Sequence, residues 1–230
     1  MSGTTTLQVN VFRYNNSLSM SSMLRNMTLF LQTVRNVADD VVTGRNMSNI
    51  TNLQISSGLL EQYNIRYTEK WVKRIDENFY EYYYGSRPSL NVPHASRTHQ
   101  FSYIADKFFS GDVSGMIAES LFVYLLQTLG ININRVAHLR PHKRKSAFMS
   151  DFAIWDRGKS IGSLITATNF NLPIYAEVKG STGNIGKERI GKAINQLSQV
   201  ITNKLSCGLV FLAFKNPNSG YKGVVLEVIY

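Results

Sequence analysis

Two strand-like runs, residues 151–155 and 172–181, carry charges where a strand tolerates few, and they narrow the possible folds more than any other stretch. In the second run Ile174, Ala176 and Val178 alternate with Tyr175, Glu177 and Lys179. Alternation at a period of two puts Glu177 and Lys179 on one strand face. In the first run Phe152 and Ile154 alternate with Asp151, Ala153 and Trp155. The loop 157–171 is rich in Gly, Asn and Ser, which predicts that the runs pair as a hairpin and that Asp151 lies beside Glu177. Two carboxylates a few Å apart repel unless a cation sits between them, and hard oxygen ligands suit Mg²⁺. Lys179 on the same face would orient or activate a water, or stabilise charge developing on a phosphate. The same three residues also fit a surface ion pair on an exposed hairpin.

Charge separates the partner classes. The 230 residues carry 25 Lys and Arg against 15 Asp and Glu, a formal charge of +10. That balance points to a polyanion, with nucleic acid ahead of an acidic membrane surface. A hydrophobic content of 43% is ample for a core, and no run of about 18 apolar residues marks a membrane span. No secretory pattern is read at the start, so a cytoplasmic protein is expected. Cys207, the one cysteine, stands in the apolar run C-G-L-V-F-L-A-F and is expected to be a small core residue.

The first hundred residues read as mainly helical, a DNA-binding or dimerisation region (1–100) ahead of a second unit (101–230). Residues 1–16 fit a short edge strand or a mobile start. Met20, Met23, Leu24, Met27, Leu31, Val34, Ala38 and Val41 recur at three- and four-residue steps, which predicts one amphipathic core helix ending near Gly44. A polar break, 44–49, follows. Arg45 and Asn46 suit minor-groove edges there, and Met47 fits either a wedge between base steps or a cap on its own helix pair. A further helix is expected through Leu59, Leu60 and Tyr63, then from Thr68 through Trp71, Val72, Ile75, Phe79 and Tyr82. Residues 85–99, with two prolines and no period, mark a boundary loop holding Arg87 and Arg97, which also fits an inert connection.

From Asp112 onward the expected order is helix (112–129), three strands, helix (186–204) and two strands (207–215 and 224–230). Glu119 is the single charge inside the first of these helices, costly among apolar neighbours unless it is paired, metal-bound or turned to solvent. Arg140 to Lys145, with Lys143, Arg144 and Lys145 in a row, reads as a phosphate-contacting loop or as a solvated turn. His138 and His142 are four apart, but nothing nearby completes a zinc set.

Asp151 followed by Glu177-Val178-Lys179, a gap of 177 − 151 = 26 residues, resembles the signature of the PD-(D/E)XK nucleases, to which most type II restriction endonucleases belong. Ser150 stands where that signature usually has proline. The element order over about the last 120 residues is similar to that family's core. The resemblance implies an α/β fold with a mixed-sheet nuclease core behind a helical N-terminal region. It further implies Mg²⁺-dependent hydrolysis of phosphodiester bonds in double-stranded DNA at a short palindromic site, CGCG on the likeness of the whole chain. By the same resemblance Asp151, Glu177, Glu119 and the Val178 carbonyl hold the metal, Lys179 serves the water, Arg87 and Arg97 read bases, and the enzyme is a homodimer. A structure-specific nuclease such as a Holliday junction resolvase, or a non-catalytic basic DNA-binding protein, are the other readings.

Overall fold

The hairpin expected around Asp151 and Glu177 lies at the middle of one large mixed sheet. The structure is a computed structural model and describes residues 7–56, 59, 72–74, 79–83, 113–141, 150–156, 170–181, 183–216 and 220–230. In chain order the strands are β1 (Leu7–Tyr14), β2 (Leu18–Ser19), β3 (Met47–Ile55), β4 (Val72–Arg74) and β5 (Phe79–Tyr83), then β6 (Val136–Pro141), β7 (Phe152–Ile154), β8 (Ile174–Ser181), β9 (Cys207–Asn216) and β10 (Gly220–Ile229). The helices are α1 (Met20–Leu24), α2 (Met27–Thr43), α3 (Val113–Thr128) and α4 (Lys187–Ser198). The strands are ordered β3-β1-β10-β9-β8-β7-β6-β5-β4, with β2 beside β10. β1 runs parallel to β10 and β8 parallel to β9, while β6, β7 and β8 are antiparallel neighbours. The fold class is therefore α/β with a mixed sheet. No described helix is long and apolar enough to cross a membrane.

Each face of the sheet buries its own core, because side chains alternate across a strand. On one face α3 lies over Phe152, Ala176, Val178, Leu209 and Phe211. This helix is apolar almost all the way round: Ile117, Ala118, Leu121, Phe122, Val123, Leu125 and Leu126 are all fully buried. On the other face α1, α2 and α4 cover Val210, Leu212, Val224, Leu226 and Val228. Tyr175 packs on that second face, so Glu177 and Lys179, two and four residues on, belong to it too.

Phe122 ties α3 to the strands beneath it. Its ring lies 5.5 Å from Phe152 and 5.4 Å from Phe211, centroid to centroid. Phe122→Ala should remove buried area and leave a cavity, costing about 3–5 kcal/mol. Denaturant unfolding is the check, and a loss below about 1 kcal/mol would show that α3 repacks freely. On the opposite face α4 approaches the sheet so closely that Gly208 has no room for a side chain. A Cβ there would stand 3.2 Å from Leu197 Cδ2 of α4, 2.9 Å from Ile201 Cδ1 just beyond it and 2.8 Å from the Tyr175 carbonyl.

The N-terminal part departs from the helical expectation. β1 is no edge strand; it lies between β3 and β10. The single helix expected over 20–41 is two, because Asn26 caps α2 by accepting a hydrogen bond from the Leu29 N–H at 3.2 Å. The break turns part of the expected core stripe outward: Leu24, Met27 and Leu31 are exposed, while Val34, Val37, Ala38 and Val41 are buried. α2 ends as expected at Gly44, whose φ of 76° is the left-handed conformation that glycine adopts readily. The expected helix through Val72, Phe79 and Tyr82 is also corrected, since 72–74 and 79–83 are strands in an antiparallel ladder with each other and with β6. Apolar residues at successive positions there satisfy either period, and pairing with β6 decides for the strand. Strands from both 1–100 and 101–230 thus join in one sheet.

From β6 onward the expected order holds. A 3₁₀ turn, Ile133–Arg135, precedes β6, the first of the three expected strands. Cys207 is a buried core residue.

Candidate active site

The site forms where β7 leaves β8. Their antiparallel ladder pairs Ile154 with Ile174 and Phe152 with Ala176, then stops. At Asp151 the main chain still pairs with β6, its carbonyl accepting from the Leu139 N–H at 2.8 Å. The side chain takes over where the ladder ends: Asp151 Oδ2 accepts the Val178 N–H at 2.8 Å. A carboxylate thus fills a position that a continued strand would have given to a backbone carbonyl. In the same register Ser150 would have faced Val178. It is instead buried, with no hydrogen bond from its hydroxyl among the described residues.

Glu177 faces α4 and is fully buried. Lys179 Nζ donates to Glu177 Oε1, while Glu177 Oε2 is buried and has no hydrogen-bond partner among the described residues. Burial pushes the Glu177 carboxyl up to about 9, the charge of Asp151 pushes the same way, and Lys179 pulls it back in part. Lys179 itself is partly exposed, its side chain retaining 23% of its accessibility. The fork therefore combines two carboxyl groups, one of them forced toward its neutral form, with an ammonium held between strand and solvent.

Such a donor set fits Mg²⁺. That ion keeps several waters and is commonly bound through one or two carboxylates. The Val178 carbonyl adds a third hard oxygen, because a strand residue directs its N–H and its C=O to the same edge, and the Val178 N–H already meets Asp151. A cation between Asp151 and Glu177 would remove their repulsion and satisfy the buried Oε2. Among the described residues no group of three or more His, Cys, Asp or Glu is gathered as a ligand set. Glu119 is half-buried on α3, which packs on the face of Ala176 and Val178, opposite the one that carries Glu177 and Lys179. The structure brings Asp151, Glu177, Val178 and Lys179 together and leaves Glu119 outside any such set.

No family model, curated protein or solved structure matches the chain. The site's own geometry thus carries the functional reading.

The other candidates fall differently. Arg87, Arg97, Lys143, Arg144 and Lys145 lie outside the described residues. Arg45 and Asn46 form the turn between α2 and β3, organised around Asp40. Asp40 Oδ2 accepts from Asn46 Nδ2 at 2.8 Å and from the Tyr14 hydroxyl at 2.9 Å, and Arg45 Nε lies 3.7 Å from Oδ1. These bonds account for both side chains structurally, although Arg45 remains largely exposed. Met47 opens β3 opposite Tyr14 and packs half-buried against the core beneath α2 and α4. That placement favours packing over a wedge standing free in solvent. Met47→Ala is expected to lower thermal stability, by less than the roughly 2–5 kcal/mol of a fully buried methionine. An unchanged melting temperature with lost duplex binding would restore the wedge. His138 is buried against Phe152, ring centroids 5.2 Å apart, in keeping with a core histidine.

Nothing in the sequence singles out Arg189 among the polar residues of α4. In the structure its Nη1 donates to the Gly180 carbonyl, one residue beyond Lys179. No local signal announces this, because the bond depends on where α4 sits on the sheet.

Proposed function

We propose that this protein is a Mg²⁺-dependent endonuclease of double-stranded DNA with a PD-(D/E)XK core, most simply a type II restriction enzyme. The observation that carries the reading is the meeting of Asp151 and Glu177 where β7 leaves β8, with Lys179 on the Glu177 face. A surface ion pair would account for the same residue types, but it would not bury Glu177 completely. The net charge of +10 supports a polyanionic substrate.

In this mechanism Asp151, Glu177 and the Val178 carbonyl would hold the metal, which when bound would supply Lewis acidity and an activated water at the phosphodiester. Asp151 is pre-oriented by the Val178 N–H, so little rearrangement is needed on binding. To serve as a ligand Glu177 would release any proton it carries to solvent. Lys179, held at the fork by Glu177, orients the attacking water in line with the leaving oxygen and offsets negative charge growing on the phosphate. Cutting both strands of a palindrome requires two such sites related by a two-fold axis, hence a homodimer. The exposed Arg45 turn and the basic residues 143–145 are the proposed phosphate contacts, with Arg87 and Arg97 as base contacts.

Digestion of a plasmid with and without Mg²⁺ tests this directly. Discrete fragments are expected, with CGCG as the first site to examine. Cutting confined to branched junctions would identify a resolvase instead, and an intact plasmid under all conditions would leave only a DNA-binding protein.

A further inference from the structure

Arg189 stands in the first turn of α4, the helix that packs on the sheet face carrying Glu177 and Lys179. Its Nη1 donates to the Gly180 carbonyl, yet the residue as a whole is exposed. Past Ala176 the edge of β8 facing β7 has no strand against it among the described residues. Val178 and Gly180 direct their backbone groups to that same edge, two residues apart. Asp151 takes the first position and Arg189 the second. The guanidinium is therefore fixed at the mouth of the fork, one residue beyond Lys179.

A guanidinium has five N–H donors in a rigid planar array, and one carbonyl engages only part of it. Among the described residues Arg189 has no carboxylate partner. Lys187 and Lys192 on the same helix are also exposed, but among the described residues no main-chain anchor aims them. An anchored guanidinium with no carboxylate partner among the described residues, beside the proposed phosphodiester-cleaving site, matches a phosphate in charge and in bidentate geometry.

The geometry points to Arg189 as the contact for a DNA phosphate next to the one being cleaved. This rests on the nuclease reading above. It makes Arg189 a binding residue, whose removal weakens the hold on every duplex alike. The other role open to it is a tie between α4 and β8, which would affect stability alone.

The slope of binding against salt separates the two roles, because only a phosphate contact releases counterions. Affinity for a short palindromic duplex containing CGCG would be measured without divalent metal over a series of salt concentrations, for wild type, Arg189→Gln and Arg189→Lys. The Gln variant should flatten the log–log slope by about 0.9, the value of one phosphate, and the Lys variant should keep the wild-type slope. An unchanged slope for Arg189→Gln, with or without a lower melting temperature, overturns the contact and leaves the nuclease reading standing. A wild-type protein that shows no salt-dependent duplex binding overturns both.

Discussion

Lys179→Ala is expected to lower DNA cleavage by about 10²–10⁴-fold, the range spanned by a positioned proton-transfer group, while duplex binding changes little. The separation follows from where Lys179 sits. Its Nζ is engaged with Glu177 at the fork and is partly open to solvent, so truncation removes little apolar packing. It leaves behind a Glu177 that is fully buried and already pushed toward its neutral form. The loss of the ammonium pushes that carboxyl further up, which limits the cost of leaving it without its partner. Asp151→Asn should behave alike for a different reason. The amide oxygen still accepts the Val178 N–H, so the fork keeps its shape, but one of the two charges that attract a cation is gone. Near-wild-type cleavage by either purified variant in the presence of Mg²⁺ would sink the nuclease assignment. If both lose cleavage and binding together, the fork belongs to the DNA-binding surface and the chemistry lies elsewhere.

Sequence and structure agree best where one face of a strand is buried and the other carries function. Ile174, Ala176 and Val178 alternate with Tyr175, Glu177 and Lys179, and a one-residue slip would bury the wrong set, so register could be read before any coordinates. The 26-residue gap, bridged by turn-forming residues, then sufficed to place Asp151 opposite Glu177. What that reading missed is non-local. Asp151 reaches the Val178 N–H where its main chain still pairs with β6 but no longer with β8, and nothing within 151–155 announces that change. Arg189 looks like any exposed helix cation until α4 is seated on the sheet.

The N-terminal errors have a related cause. β3 alternates only in its last residues, where Leu53 and Ile55 are buried, and its start, M-S-N-I-T-N, is as polar as a turn. Its strand character comes from the ladder with β1 rather than from propensity. In 20–41 the three- and four-residue spacing was real, yet one asparagine at position 26 was enough to restart the helix and turn Leu24, Met27 and Leu31 to solvent. A moderate local preference gave way to a capping bond in one case and to sheet pairing in the other.

Glu177→Gln carries the other large effect, and its two consequences have opposite signs. Cleavage should fall as far as in Lys179→Ala, because a neutral amide is a poor ligand for a hard cation. Stability without divalent metal should rise. The Glu177 carboxyl stands at about 9 in the folded protein against 4.5 in its ordinary state, chiefly because it is buried and secondarily because Asp151 is close. Between those two values the folded chain holds a proton that the unfolded chain has released. Stability therefore falls as pH rises from about 4.5 toward 9, and is highest below that window. Glutamine mimics the protonated form and removes this dependence. One pKa unit corresponds to about 1.4 kcal/mol, and Lys179 can turn to solvent once its partner is gone, so a gain of about 1–3 kcal/mol at pH 8 is expected. The gain should shrink toward pH 5. Mg²⁺ should close the gap from the other side, raising the melting temperature of the wild type by binding the folded state while leaving the variant where it was. Thermal melts at pH 5 and pH 8, with and without Mg²⁺, read all of this in one experiment. A variant that melts below wild type at pH 8 by the same margin as at pH 5 would mean that Glu177 is ionised and held by Lys179 as a structural ion pair, and that the fork has no need of a metal.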